Sequence, residues 1–242
     1  MFFRGFWAAL LLSGAPVSAD GLDHCHMFEE DSRLFHHVIH MQLEQTQVPI
    51  TLPANFYQTR AMLQSLSKGP ERDGERFWLD LDTWEGLNES DQISRHRAGN
   101  DRSVAVVLHD VVDLEALLRF GEDFVLGSVE KRSALTGAHA ESPAAFDPRL
   151  QQVNLFGKRS SLTDEIYVDR APDGSVQSLI TCGTHLPYPI CEQEFRAEGL
   201  DVKLRYYLSQ RGHWSEIEAG VRAILRCAAD PKYLPGNDKR TE

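Results

Sequence analysis

Hydrophobic and polar positions alternate most regularly in the last third of the chain. Ile166 and Val168 alternate with polar neighbours, "PDGS" supplies a turn and residues 176–180 continue the pattern, which predicts a β-hairpin. Residues 191–208 predict a second strand pair that turns at "AEGL". Helical spacing then replaces alternation and predicts an amphipathic helix. Its apolar stripe consists of Trp214, Ile217, Val221, Ile224, Leu225 and Ala228.

Both ends of this helix carry sequence signals. Ser215 and Glu218 have the spacing of a capping box, which predicts the N-terminus. Asp230 and Pro231 predict the end, because proline cannot continue a helix. We expect the apolar stripe to pack against the predicted strands, since an amphipathic helix needs an apolar partner.

Strand patterns also occur in the first half of the chain. Residues 35–44 ("FHHVIHMQLE") and residues 77–84 ("FWLDLDTW") alternate, which predicts a half-buried strand in each. Residues 103–111 form a near-continuous apolar run. This run indicates either a central strand or the start of the next element.

Two helices are predicted in the same half of the chain. Residues 54–66 ("ANFYQTRAMLQSL") have an apolar face at helical spacing. Residues 113–120 form a shorter helix, with Asp113 as its N-cap and Gly121 as its stop. Strands and helices therefore occur together in this half.

The order of elements predicts an α+β fold, a largely antiparallel sheet with the C-terminal helix packed on it and braced by disulfides. Residues 131–160 are rich in Ser, Ala, Gly and Pro, which is typical of a linker. They separate an N-terminal α+β half, residues 20–130, from a C-terminal β-meander plus helix, residues 161–242. A chain of this length forms either one domain or two.

Residues 1–19 have the layout of a secretory signal peptide. Arg4 precedes an apolar run from Phe6 to Leu12, and small residues lead to an expected cut after Ala19. The run is shorter than the roughly 20 residues that cross a bilayer, and no later run is longer and as apolar. We therefore expect an exported protein without a membrane span, periplasmic or, alternatively, extracellular.

Charge narrows the classes of partner. The chain has 25 Lys+Arg and 36 Asp+Glu, which gives a net charge of −11. Residues 1–19 carry one charged side chain, Arg4, so their removal makes the net charge −12. This acidity disfavours nucleic acid and anionic membrane surfaces, both of which bind cationic proteins. It favours solubility. The expected partner is another protein, and a basic one would suit an acidic surface.

All four cysteines follow the expected cut, and an even number in an oxidising compartment favours disulfides. Cys182 and Cys191 flank a Pro-containing connection between two strand-like runs, which predicts that they pair with each other. Cys25 would then pair with Cys227. The C-x8-C spacing is not that of a zinc knuckle, and no C-x-x-C redox motif occurs. We expect neither a metal nor a cofactor here.

The connection between Cys182 and Cys191 is the predicted binding site. A stapled, proline-stiffened loop is held rigid at little entropic cost, which suits display to a partner protein. Inhibitors, immunity-type proteins and envelope-assembly proteins all fit an exported, disulfide-braced and acidic protein of this kind. The residues predicted to bind are Thr184, His185, Leu186, Tyr188 and Ile190.

A secreted hydrolase is the alternative from a different class. Asp80 and Asp82 alternate with apolar residues, so both carboxylates would project from one sheet face, and His109 offers a base. The commoner role of such carboxylates is the solvated face of a half-buried strand. No nucleophile elbow, S-x-x-K, H-E-x-x-H or phosphate loop occurs, which favours a protein that is not an enzyme.

A metal-handling protein is the third possibility, because histidines cluster near the start of the mature chain. The strand pattern places His36 and His40 on one face about 13 Å apart, too far to share an ion. Surface or half-buried histidine is therefore the favoured interpretation. The cluster consists of His24, His26, His36, His37 and His40.

Overall fold

A computed structural model describes residues 24–29, 33–41, 44–57, 69–100, 102–109, 113–119, 147–153, 165–183 and 189–235. The predicted signal segment, residues 1–19, lies outside the described residues. Within the described ranges, no helix is both long and apolar enough to span a bilayer.

Ten strands form two sheets in the described part of the chain. A seven-stranded sheet has the order β4-β5-β10-β9-β8-β7-β6, and every neighbouring pair in it is antiparallel. A three-stranded sheet has the order β2-β1-β3. The strands are β1 Leu34–Met41, β2 Thr46–Pro53, β3 Glu71–Arg72, β4 Gly74–Asp80, β5 Ser103–His109, β6 Leu150–Val153, β7 Glu165–Arg170, β8 Val176–Gly183, β9 Ile190–Ala197 and β10 Leu200–Tyr207.

Four α-helices occur in the described part of the chain: α1 His26–Glu29, α2 Glu89–Arg97, α3 at residues 114–119 and α4 Trp214–Ala229. Short 3-10 helices occur at Ala54–Phe56, Leu208–His213 and Pro231–Tyr233. The mixture of helices with a mainly antiparallel sheet confirms the predicted α+β fold.

Local sequence explains the two hairpins that the pattern predicted. Between β9 and β10, Glu198 and Gly199 have φ angles of 51° and 78°, and positive φ at both central residues is typical of a tight hairpin turn. Between β7 and β8, Gly174 has φ 88°, and the Asp173 side chain accepts a hydrogen bond from the Ser175 amide. A glycine therefore fixes the position of each turn, and an aspartate assists it in the turn between β7 and β8.

The main core lies between the inner face of the large sheet, the small sheet and α4. α4 packs against β2 and β9, so the helix closes the space between the two sheets. Every residue of the predicted apolar stripe of α4 is buried, which confirms that prediction. The inner face of the large sheet contributes Phe77, Leu79, Val106, Ile180, Phe195 and Leu204, each at most 1% exposed.

The predicted capping box at the start of α4 is wrong. The N-cap is His213, and no side chain caps the helix. Glu218 instead points into the sheet, where its carboxylate accepts hydrogen bonds from Gln193 (2.6 Å) and Arg222 (2.7 Å). The Ser215 hydroxyl accepts from Arg149. Both side chains are held by tertiary contacts that short-range spacing cannot reveal. The helix does end at Asp230, as predicted.

Two disulfides join distant parts of the fold. The terminal disulfide, Cys25–Cys227, ties the residue before α1 to α4 across 202 positions. The hairpin disulfide, Cys182–Cys191, joins residues that face each other on β8 and β9, with a Cα–Cα distance of 4.0 Å. Both predicted pairs are bonded. In the chain-entropy model such loops contribute about 5 and about 3 kcal/mol respectively.

Other sequence predictions have mixed outcomes. Residues 103–109 form the interior strand β5, and the Asp113 carboxylate caps α3 by accepting from the Glu115 amide. The predicted helix at residues 54–66 lies largely outside the described residues, and its described start is a 3-10 turn. Within the predicted linker, residues 150–153 form β6 at an edge of the large sheet. The division into two halves stays a prediction.

Candidate functional site

The outer face of the large sheet, opposite the main core, is covered at both ends and open between them. α3 covers β7 and β8, where Leu118 packs with Ile166, Val168 and Leu179. α2 covers the opposite corner, where its Gln92 donates a hydrogen bond to the Tyr207 hydroxyl at 2.8 Å. The strip between the two helices carries half-buried and exposed side chains. We call it the central strip, and it comprises Arg76, Trp78, Val107, Glu192, Glu194, Lys203 and Arg205.

Strand register places these residues in two rows. In the first row Trp78 lies opposite Ala105, Ala105 opposite Arg205, and Arg205 opposite Glu192. Alternate residues of a strand share a face, so the second row follows two positions along. That row runs Arg76, Val107, Lys203 and Glu194 across the same four strands.

Ion pairs order the β9–β10 half of the central strip. Lys203 Nζ lies 2.6 Å from Glu194 and 3.5 Å from Glu192, and Arg205 lies 2.6 Å from the other oxygen of Glu192. Burial lowers the pKa of Lys203, but the hydrogen bond and charge of Glu194 and the charge of Glu192 outweigh it, so the net pKa is raised. The charges are thus fixed in place before any partner arrives.

The β4 end of the strip has a different character. The Arg76 guanidinium lies over the Trp78 ring, 5.2 Å from its centroid, which is a cation–π contact. Arg76 is exposed and Trp78 is half-buried. Among the described residues, Arg76 forms no ion pair. Trp and Arg are the residue types most enriched at energetic hot spots of protein interfaces.

The predicted binding loop adjoins this surface. Ile190 is half-buried and alternates with Glu192 and Glu194 along β9, so it lies on the outer face. It pairs with Gly183 just beyond the hairpin disulfide. The other predicted binding residues, Thr184, His185, Leu186 and Tyr188, lie outside the described residues.

The alternative catalytic set is not brought together. Asp80 lies opposite Ser103 at one end of β5, and His109 is the last residue at the other end, about 20 Å away by strand rise. Asp80 is on the outer face, as predicted, but it is 5% exposed because α2 covers it. It forms an ion pair with Arg95 at 2.5 Å. Asp82 lies beyond the end of β4 and pairs with Arg102. The prediction that both carboxylates project from one sheet face is wrong.

The N-terminal histidines have separate neighbours. His24 packs edge-on against Trp84, and His36 shares a hydrogen bond of 2.8 Å with Thr51. His40 lies 3.8 Å from Glu71. Among the described residues, no group of three or more His, Cys, Asp or Glu side chains is placed to hold a metal ion.

His37 differs from the other histidines because it is buried in a polar cluster between the two sheets. Its Nε2 atom shares a hydrogen bond of 2.7 Å with the Tyr57 hydroxyl and lies 3.9 Å from Glu75. Arg72 Nε lies 3.6 Å from the same carboxylate. Burial, followed by the charge of Arg72, lowers the pKa of His37 to about 4. Burial also raises the pKa of Glu75. The alternation of residues along β1 does not distinguish His37 from the neighbouring histidines, because its partners Tyr57 and Glu75 are distant in sequence.

Comparison with known proteins adds two structural neighbours. No family model matches the chain, and no curated protein matches it either. Smlt3025, an immunity protein of the Stenotrophomonas maltophilia type IV secretion system, has a TM-score of 0.43 and 15% identity, covering 75% of this chain and 90% of its own. The Neisseria meningitidis iron-regulated outer membrane lipoprotein FrpD has a TM-score of 0.43 and 10% identity, covering 81% and 92%. The function proposed below rests on this chain's own residues.

Proposed function

We propose that this chain is an exported, non-enzymatic protein-binding module whose docking surface is centred on the central strip. The observation that carries the proposal is the strip itself. It is a rigid sheet face that combines an aromatic residue, three cationic side chains and two carboxylates, with part of each left open to solvent. Sheet residues lose little freedom on binding, because the backbone and the ion pairs already hold them.

The composition of the strip fits the centre of a protein interface. Interface centres are rich in Trp and Arg, surrounded by contacts that exclude water. A standard interface covers about 800 Å² on each partner, with a polar rim around its centre. Ile190, the described residue of the predicted binding set, lies on the same face and would supply part of the rim.

The predicted export and the two disulfides support the same proposal. Both disulfides of the structure are of the kind that persists in oxidising compartments such as the periplasm. The hairpin disulfide clamps β8 to β9 directly beside the strip, so its geometry is maintained outside the cell. Inhibitors, immunity-type proteins and envelope-assembly proteins are the classes that match an exported and rigid binder.

Site-specific photo-crosslinking tests the proposal. A benzophenone amino acid is placed at Val107, in the middle of the strip, and in a control variant at Arg226, which is exposed on α4. The protein is expressed in its native host and exported. We expect one discrete crosslinked protein from position 107 and none from position 226. The same yield and pattern from both positions would refute the strip as the docking surface.

A further inference from the structure

We propose that the partner presents carboxylate side chains to the central strip, so that an acidic segment docks on Arg76 and Trp78. This inference rests on the proposed function and concerns the chemistry of the partner. The chain as a whole has a net charge of −11, which favours a basic partner for the rest of its surface. The strip has the opposite local charge.

Charge balance within the strip is the first argument. It carries three cationic side chains and two carboxylates, so its formal charge is +1. Both carboxylates are already engaged by Lys203 and Arg205. The remaining cation is Arg76, which has no ion-pair partner among the described residues. A local positive site in an acidic protein selects for an acidic contact.

Exposure within the strip is the second argument. The side chain of Arg205 is 42% exposed, whereas Glu192 is 32% and Glu194 only 12% exposed. Arg76 is exposed as well. An approaching partner therefore meets guanidinium groups first and carboxylates second. Guanidinium groups bind carboxylates with two parallel hydrogen bonds, which adds geometric selectivity to the charge attraction.

The Trp78 ring is the third argument. It holds the Arg76 guanidinium over its face, which limits the conformations of a side chain that is otherwise costly to order. Two strands away, across Ala105, Arg205 occupies the same row as Trp78. Arg76 lies two residues along β4 from Trp78. With neighbouring strands about 4.8 Å apart and a rise of about 3.3 Å per residue, the backbone positions of Arg76 and Arg205 are about 12 Å apart. Acidic residues three or four positions apart on an extended segment span that distance.

Two labelled peptides test this inference directly. A fluorescein-labelled oligoglutamate peptide and an oligolysine peptide of equal length are titrated with the disulfide-bonded protein at low ionic strength, and anisotropy is recorded. We expect the acidic peptide to bind despite the acidic chain. Arg76→Glu should weaken that binding about tenfold, whereas the matched exposed control Arg226→Glu should change it less than about threefold. Arg76→Gln, which removes the guanidinium without adding a negative charge, should show an intermediate loss.

The opposing results separate this inference from the proposed function. Absence of oligoglutamate binding, or equal weakening by Arg76→Glu and Arg226→Glu, would overturn the acidic partner. Binding of oligolysine that Glu192→Gln weakens would overturn it too, but would leave the strip as a docking surface. Circular dichroism of each variant confirms that its fold is intact. The crosslinking comparison of positions 107 and 226 tests the docking surface without reference to charge.

Discussion

Acidification should destabilise this protein through one buried histidine. His37 is 3% exposed and lies between the two sheets, with Tyr57, Glu75 and Arg72 around it. Its pKa is about 4 in the folded chain, compared with 6.5 for an ordinary histidine. Between those two pH values the unfolded chain binds a proton that the folded chain does not bind. The free energy of unfolding therefore falls as the pH falls from 6.5 towards 4.

The size of the effect follows from the pKa difference. Each pKa unit corresponds to 1.36 kcal/mol, so the His37 contribution is ~3 kcal/mol once the pH has reached the folded-state pKa. That is a large part of the 5–15 kcal/mol that stabilises a typical domain. Glu75 acts in the opposite direction, because its pKa is raised in the folded chain and protonation then favours folding. A comparison of variants that all retain Glu75 isolates the histidine.

Urea unfolding from pH 7.5 to pH 4.0 measures this effect, using wild type, His37→Gln and His213→Gln. His213 is an exposed histidine at the start of α4, and His213→Gln controls for the loss of an imidazole at the surface. The stability difference between wild type and His37→Gln should shift by ~3 kcal/mol across the range, to the disadvantage of wild type at low pH. A His37→Gln curve that is parallel to wild type would refute the reasoning.

Three further predictions concern packing, cross-links and charge. Removing the terminal disulfide by paired Cys→Ala substitution should lower the free energy of unfolding by about 5 kcal/mol, and removing the hairpin disulfide by about 3, as urea unfolding measures. Gly220→Ala should lower the free energy of unfolding by about 1–3 kcal/mol, because the new Cβ would lie 2.1 Å from the Trp84 ring. At the control position, Gly212→Ala, the new Cβ meets nothing within 4 Å, so thermal melts should show no change. Asp80→Ala should cost about 2 kcal/mol, because it removes a buried carboxylate that pairs with the half-buried Arg95. Asp82→Ala, at a pair exposed on both sides, should cost less than about 0.5 kcal/mol. Equal costs in urea unfolding would contradict the burial argument.

Local chemistry made a large part of the fold predictable. The two C-terminal hairpins and the α4 stripe follow from alternation, turn residues and helical spacing, all of which act within a few residues of one another. The disulfide pairing followed from four cysteines and one short connection. Such features are encoded locally, so tertiary contacts reinforce them rather than override them.

The candidate site could not be read from the sequence in the same way. The two rows of the central strip form only because β10 pairs with β5 and β5 pairs with β4. The alternation of residues within one strand does not reveal which strands pair with it. The local pattern predicts a solvated carboxylate at Asp80, because nothing near it in the sequence indicates that α2 covers it. Ser215 and Glu218 have the spacing of a capping box, yet their side chains bind Arg149 and Gln193 instead. In each case a long-range contact decided the outcome.

The affinity of the crosslinked partner for purified protein tests the central claim most directly. Isothermal titration would compare wild type with a variant that carries both Trp78→Ala and Arg205→Ala, and with Arg226→Ala as control. If the central strip is the docking surface, the double variant should bind at least about thirtyfold more weakly than wild type. Loss of one hot-spot residue alone costs about 2 kcal/mol of binding free energy, which corresponds to that factor. The control should bind as wild type does. Equal affinities for wild type and the double variant would contradict the account.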